Sequence, residues 1–263
     1  MAKGIKPRNY GFQEKFVWYV PGVTGMFALL GWLLVGALLQ AAGNAKGDSL
    51  VFPGVATILA AFFRLLAQVH TYVLIGTTLR HLVFSLLIAT FFGVGLGLLE
   101  GAFPFFRRLL KPLMTMLRSI PMVVLVVVIM VLTRYSRVPY IASVLILLPL
   151  IREAACEGWQ SLDSSLMDVY RLNGSMSLFV LVHVHLPLMA GYLRQDYIKA
   201  VGMSIKLVVS CEYLVQTRDS LGKAVNTSIY FNEYQDIYAY ALIMILLVCL
   251  LCELPLAVLR RFR

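Results

Sequence analysis

Charge is what this chain has least of. Charged residues fill 14% of its 263 positions, against 60% hydrophobic. A water-soluble domain carries about 25% charge, so the shortage excludes that class and points to an integral membrane protein. Acid is scarcer than base, 13 Asp and Glu against 23 Lys and Arg, for a net charge of +10. No glycine-rich loop is followed by Lys-Ser or Lys-Thr, so no phosphate cradle is present. No convergent acid/base or metal cluster stands out, which removes the features a membrane enzyme needs. The opening MAKGIKPRNYGFQEKF is polar and basic and lacks a small-residue cleavage site, so the first apolar run is expected to stay in place. Cysteines number 4; Cys249 and Cys252 form a C-x-x-C inside VCLLCELP, which reads as apolar packing in the absence of a second ligand pair. Internal repeats and low-complexity tracts are also missing.

What is present is a series of apolar runs, each near the roughly 20 residues that cross a bilayer. The expected fold is all-α and integral to the membrane, with about six spans. They cover Val17–Leu39, Thr71–Leu99, Leu113–Leu132, Pro139–Trp159, Leu188–Val209 and Ile237–Leu259. This divides the chain into an N-terminal segment (1–16), the first span (17–39), an outer loop with a surface helix (40–70), a core (71–259) and a short tail (260–263). The surface helix is VATILAAFFRLLAQ after Pro53 and Gly54, apolar at helical spacing with Arg64 and Gln68 on a polar side. Basic residues gather at alternate ends of the spans, among them Lys3, Lys6, Arg107, Arg108, Lys111, Arg118, Arg152, Arg171, Arg260 and Arg261. Their excess on one side places both termini in the cytosol. The remaining role of this charge is contact with anionic lipid headgroups rather than nucleic acid, because no basic recognition helix or aromatic platform accompanies it. In the second span, Gly93, Gly95, Gly97 and Gly101 remove side chains where another helix can approach.

Between the fourth and fifth spans, at about 160–187, lies MDVYRLNGSMSLFVLVHVHLP. Ser165 followed by Asp168 has the spacing of a capping box opening a short helix. Leu166, Val169 and Tyr170 share one face, Gly174 can end the helix in a left-handed conformation, and Ser175 can cap a second one that runs to Pro187. A rigid hairpin with a mixed surface suits docking into a groove on another protein. His183 and His185, two apart, fall on different helical faces and do not suggest a metal site.

The same segment resembles the EAA motif of permease subunits of binding-protein-dependent ABC importers: Glu-Ala-Ala, three residues, Gly, nine residues, Ile-x-Leu-Pro. Here the positions are Asp168-Val169-Tyr170, Gly174 and Val184-His185-Leu186-Pro187, with Tyr170 the main departure. A literal Glu153-Ala154-Ala155 lies nearby but has no Leu-Pro at the required distance, and reads as the helix leading into the loop. VFPGVATILAAFF, LRSIPMVVLVVVIMVL (Ser119 for a proline) and SIKLVVSCEYLVQTRDSLGKAV resemble, in order, stretches of the nitrate/sulfonate/taurine branch. The resemblance runs from about Phe52 to the C-terminus.

That resemblance implies the type I importer permease fold, with a cytosolic coupling-helix loop. It implies that two permease subunits, this chain and a second that is expected to be an identical copy, form one alternating-access path. Asp168, Val169, Tyr170, Arg171, Gly174, Leu186 and Pro187 would dock on an ATPase pair. That pair, not this chain, would bind ATP and Mg, and a solute-binding protein would deliver the substrate. The chain itself is expected to bind no cofactor and to catalyse no reaction. For the path, charge inside a bilayer marks Lys206, a positive group for an anionic solute, and Glu212 near the outer gate. The neutral alternative is that each pairs with a neighbouring helix or snorkels. Ser204 and Ser210 are weaker, since hydroxyls in spans bond their own backbone. Arg118 and Pro121 mark the cytosolic boundary of the third span, where Pro121 kinks it. Glu233 and Asp236, in a Tyr-rich outer loop, suit either a binding protein or plain solvation. The rival reading is a secondary transporter or channel without an ATPase, which would have no use for the hairpin.

Overall fold

The computed structural model describes Ala41 and residues 53–161 and 186–261. The chain divides into two compact units, Met1–Leu59 and Ala60–Arg263. The described residues of the first are Ala41 and 53–59, the last of which open the first helix. All regular structure among the described residues is helical. The helices are α1 (Val55–Ala67), α2 (Val69–Ala102), α3 (Pro104–Ser119), α4 (Met122–Leu132), α5 (Val138–Gln160), α6 (Leu186–Val215), α7 (Leu221–Tyr230) and α8 (Tyr234–Arg261). A single 3₁₀ turn, Tyr135–Arg137, precedes α5.

Among the described residues, three segments are long and apolar enough to cross a membrane: α2, residues 135–160 that include α5, and the first part of α8 (Tyr234–Leu251). The bent pair α3 and α4 supplies a fourth if counted as one span. The α6 helix has the length, but Lys199, Lys206 and Glu212 interrupt its apolar character. The expected first span lies outside the described residues.

The expected third span, Leu113–Leu132, is corrected. Pro121 has no N–H to continue the ladder, and Ile120 before it is pushed to extended backbone (φ −69°, ψ 124°). The break is therefore a 102° corner between α3 and α4 rather than a kink. Only α4, eleven purely apolar residues, keeps the apolar character expected of a span. The fifth span also runs further than expected, to Val215. It stops because Gln216 adopts φ 53° and the Thr217 N–H reaches back to the Glu212 carbonyl at 3.2 Å, a left-handed helix cap without the usual glycine.

A glycine seam joins α2 to α5. A Cβ on Gly97 would lie 2.5 Å from the Ala155 Cβ and 2.5 Å from the Arg152 carbonyl oxygen. One on Gly101 would lie 2.4 Å from the Trp159 ring, and one on Gly93 would lie 3.0 Å from Ile151. Four-residue spacing puts these glycines on one face, so the two backbones touch over two full turns. Gly95 is a correction: a Cβ there would meet nothing within 4 Å, so it takes no part in the seam. Outward, α2 presents Phe84, Leu87 and Phe91, all exposed, as a lipid-facing surface.

Candidate translocation site

Two polar assemblies sit along α2, one near each end of its apolar stretch, and each contains a buried carboxylate. The first surrounds Glu212 of α6, whose side chain is fully enclosed. Its Oε2 accepts from the Thr78 hydroxyl at 2.9 Å and from the Gly222 N–H at 3.2 Å. Its Oε1 lies 2.6 Å from His81 Nδ1, with a proton between them. Thr78 Oγ1 in turn accepts from the Leu221 N–H at 3.1 Å, and Ser220 Oγ accepts from the Lys223 N–H at 3.3 Å. The first three N–H groups of α7, which no helix can satisfy internally, thus all find acceptors, and the positive end of α7 rests on a carboxylate. His81 is held edge-on against Tyr140, ring centroids 4.6 Å apart at 86°. One carboxylate therefore pins α2, α6 and α7 together in a setting where an unsatisfied donor is expensive.

The second assembly is at the opposite end of α2. Glu100 pairs with Arg152 of α5, and Arg118 of α3 pairs with Glu153. Arg118 also donates at 3.0 Å to the carbonyl of Pro149, the proline inside α5. Along α2 the two assemblies, His81 and Glu100, are separated by roughly 28 Å at 1.5 Å per residue, close to the hydrocarbon thickness of a bilayer.

On α6, between Glu212 and the Lys199–Asp196 pair, Lys206 is the one charged residue. It lies on α6, about 9 Å inward of Glu212. Lys199, Met203, Lys206, Ser210 and Leu214 form one exposed stripe at helical spacing. The opposite face, with Ala200, Ser204, Val208 and Cys211, is buried against the bundle. Lys206 makes no ion pair among the described residues, whereas Lys199 holds Asp196 at 2.7 Å.

The sequence candidates therefore separate. Lys206 and Ser210 share the open stripe, while Glu212, six residues on, faces inward to partners of its own chain. Ser204 bonds its own helix through the Val201 carbonyl at 2.6 Å. Arg118 and Pro121 stand at the corner between α3 and α4. Asp236 is a correction: it is buried and paired with Arg64 of α1 rather than solvated in a loop, while Glu233 is exposed. The residues Glu153-Ala154-Ala155 lie within α5, which leads to the start of the expected docking loop. Asp168, Val169, Tyr170, Arg171 and Gly174 lie outside the described residues; Leu186 and Pro187 open α6. Sequence reasoning missed Thr78, His81 and Glu100. Ionisable residues such as His81 and Glu100 are rare inside a span, and that was the available signal.

The comparisons with known proteins agree with this architecture. No curated protein matches the chain in sequence. Among solved structures, it is similar in fold to the MetNI methionine ABC transporter in inward-facing conformations. The TM-score is 0.59 at 17% identity, over 73% of this chain and 97% of that one. A family model describing the binding-protein-dependent transport system inner membrane component matches residues 89–262. The chain belongs to that family: it is an inner membrane component of the binding-protein-dependent transport systems, an ABC importer permease.

Proposed function

We propose that this chain is the permease subunit of an ATP-driven importer in the nitrate/sulfonate/taurine-like branch, carrying a small anionic solute. Two copies would line the path, each through the exposed stripe of α6. The observation that carries the anionic preference is Lys206: a lone cation on an otherwise uncharged stretch of membrane helix, exposed and without an ion partner among the described residues. Charge at such depth costs several kcal/mol unless something compensates it, and a transient anion would do so. A solute-binding protein would deliver that anion. An ATPase pair would drive the switch between two packed arrangements by favouring one of them.

Lys206→Ala is expected to lower uptake kcat/KM by about tenfold or more, the usual scale for removing a focusing charge from a low-dielectric cleft. Assembly with the ATPase should be unchanged. Transport by reconstituted vesicles measures the first and co-purification the second; undiminished uptake would take Lys206 out of the path.

Docking would run through Asp168, Val169, Tyr170, Arg171 and Gly174, with both termini and the loop on the cytosolic side. At Gly174, where the sequence leads us to expect a left-handed turn, a bulky side chain should prevent the expected short helix from closing. Gly174→Trp should therefore insert normally and lose its ATPase in a pull-down. Retention of the ATPase would reject the docking assignment and favour a transporter that works without one.

A further inference from the structure

Among the described helices, α3 is the most strongly two-sided. Phe105, Leu109, Leu113 and Met116 lie within one narrow sector of it and are all more than half exposed. Arg107, Lys111 and Arg118 lie on the opposite side, with Arg108 beside them. It carries no acidic residue at all. Arg107 and Arg108 fall in its first half, where the helix dipole disfavours positive charge, so an anion nearby relieves two repulsions at once.

Its position agrees with its sidedness. The α4 helix keeps the apolar character of a span and α3 turns 102° away from it, which lays α3 near the membrane plane. It follows the Glu100 end of α2. Behind it, a cavity of about 260 Å³ opens between α3 and α5. The acids on that wall do not neutralise α3: Glu100 is held by Arg152 and Glu153 by Arg118, leaving Glu157 against Arg107 and Lys111. Arg107, Arg108 and Lys111 are exposed and form no ion pair among the described residues.

We infer that α3 is a lipid-reading helix. Its apolar side sinks into the acyl region, and Arg107, Arg108 and Lys111 hold the phosphodiester headgroups of anionic lipids in the adjoining leaflet. An exposed apolar sector backed on the opposite side by unpaired cations with long side chains is the amphipathic arrangement that binds an anionic monolayer rather than a soluble anion. This inference rests on the membrane placement of the fold and not on the docking assignment above.

The test uses the full chain purified in a zwitterionic detergent. Phosphatidylglycerol or phosphatidylcholine is added, and retained lipid is counted by native mass spectrometry. The wild type should retain phosphatidylglycerol preferentially, and inorganic phosphate should not displace it. R107Q/R108Q/K111Q should weaken that retention by about tenfold or more, given the usual contribution of each basic residue near an anionic surface. R107K/R108K should keep it, which shows that charge and not folding is read. Equal retention of the two lipids by the wild type, or undiminished retention by the glutamine variant, would overturn the inference. So would loss of the ATPase by the glutamine variant with lipid retention intact, since the face would then belong to a protein. Gly174→Trp is expected to retain the lipid whether or not the ATPase docks, so the two readings fail separately.

Discussion

Glu212→Ala should destabilise the permease by about 3–5 kcal/mol, the range for breaking a buried pair from one side. The reason is the number of groups left behind. Thr78 loses the acceptor for its hydroxyl, His81 loses the group opposite Nδ1, and the Gly222 N–H at the start of α7 is orphaned. None of them can turn to water. Typical stabilities are about 5–15 kcal/mol, so the loss removes a large share of the total. Glu212→Gln keeps the volume and one acceptor and should fall between the two, at about 1–3 kcal/mol. Replacing the pair together, as His81→Phe with Glu212→Leu, should be milder than the sum of the single changes, because no half-pair remains. Thermal unfolding in detergent, followed by size-exclusion fluorescence, reads all three. A Glu212→Ala protein as stable as wild type would mean that the carboxylate does not pin these helices.

The second large effect belongs to the glycine seam. At Gly97 even a methyl group would sit 2.5 Å from two atoms of α5, one of them backbone that cannot rotate aside. Gly97→Leu must push α2 and α5 apart. Overpacking of this kind costs about 1–3 kcal/mol where a core can shift. Here the shift also draws Glu100 away from Arg152 one turn further along. We expect Gly97→Leu to accumulate poorly and to lose transport. Gly95→Leu, where the added Cβ meets nothing within 4 Å, should match the wild type. Expression and uptake measured side by side decide it: equal behaviour of the two variants would mean that the close approach at Gly97 is unimportant.

The sequence made the apolar runs legible because hydropathy needs no tertiary partner. Thus α2, α5 and α8 fall within a few residues of expectation. The glycine seam was half legible: a cluster of glycines signals close approach, but only the four-residue spacing against Ile151, Ala155 and Trp159 shows that Gly95 points away. The end of α6 was hidden, because Gln216 and not glycine takes the left-handed cap. The corner at Pro121 was visible as a kink, but its size is set by the amphipathic helix before it. The role of Glu212 was the least legible. A lone acid in a span looks alike whether it faces a path or a neighbour, and its side-chain partners Thr78 and His81 lie more than 130 positions away in the chain.

The α2 helix runs from Val69 to Ala102 without a proline, and it carries a polar clasp near each end. In the alternating-access path proposed above, a rod of this kind would act as a see-saw. Tilting it to widen the mouth on one side would swing the other end inward, so a single unbroken beam would tie the two mouths together and oppose a leak through both at once.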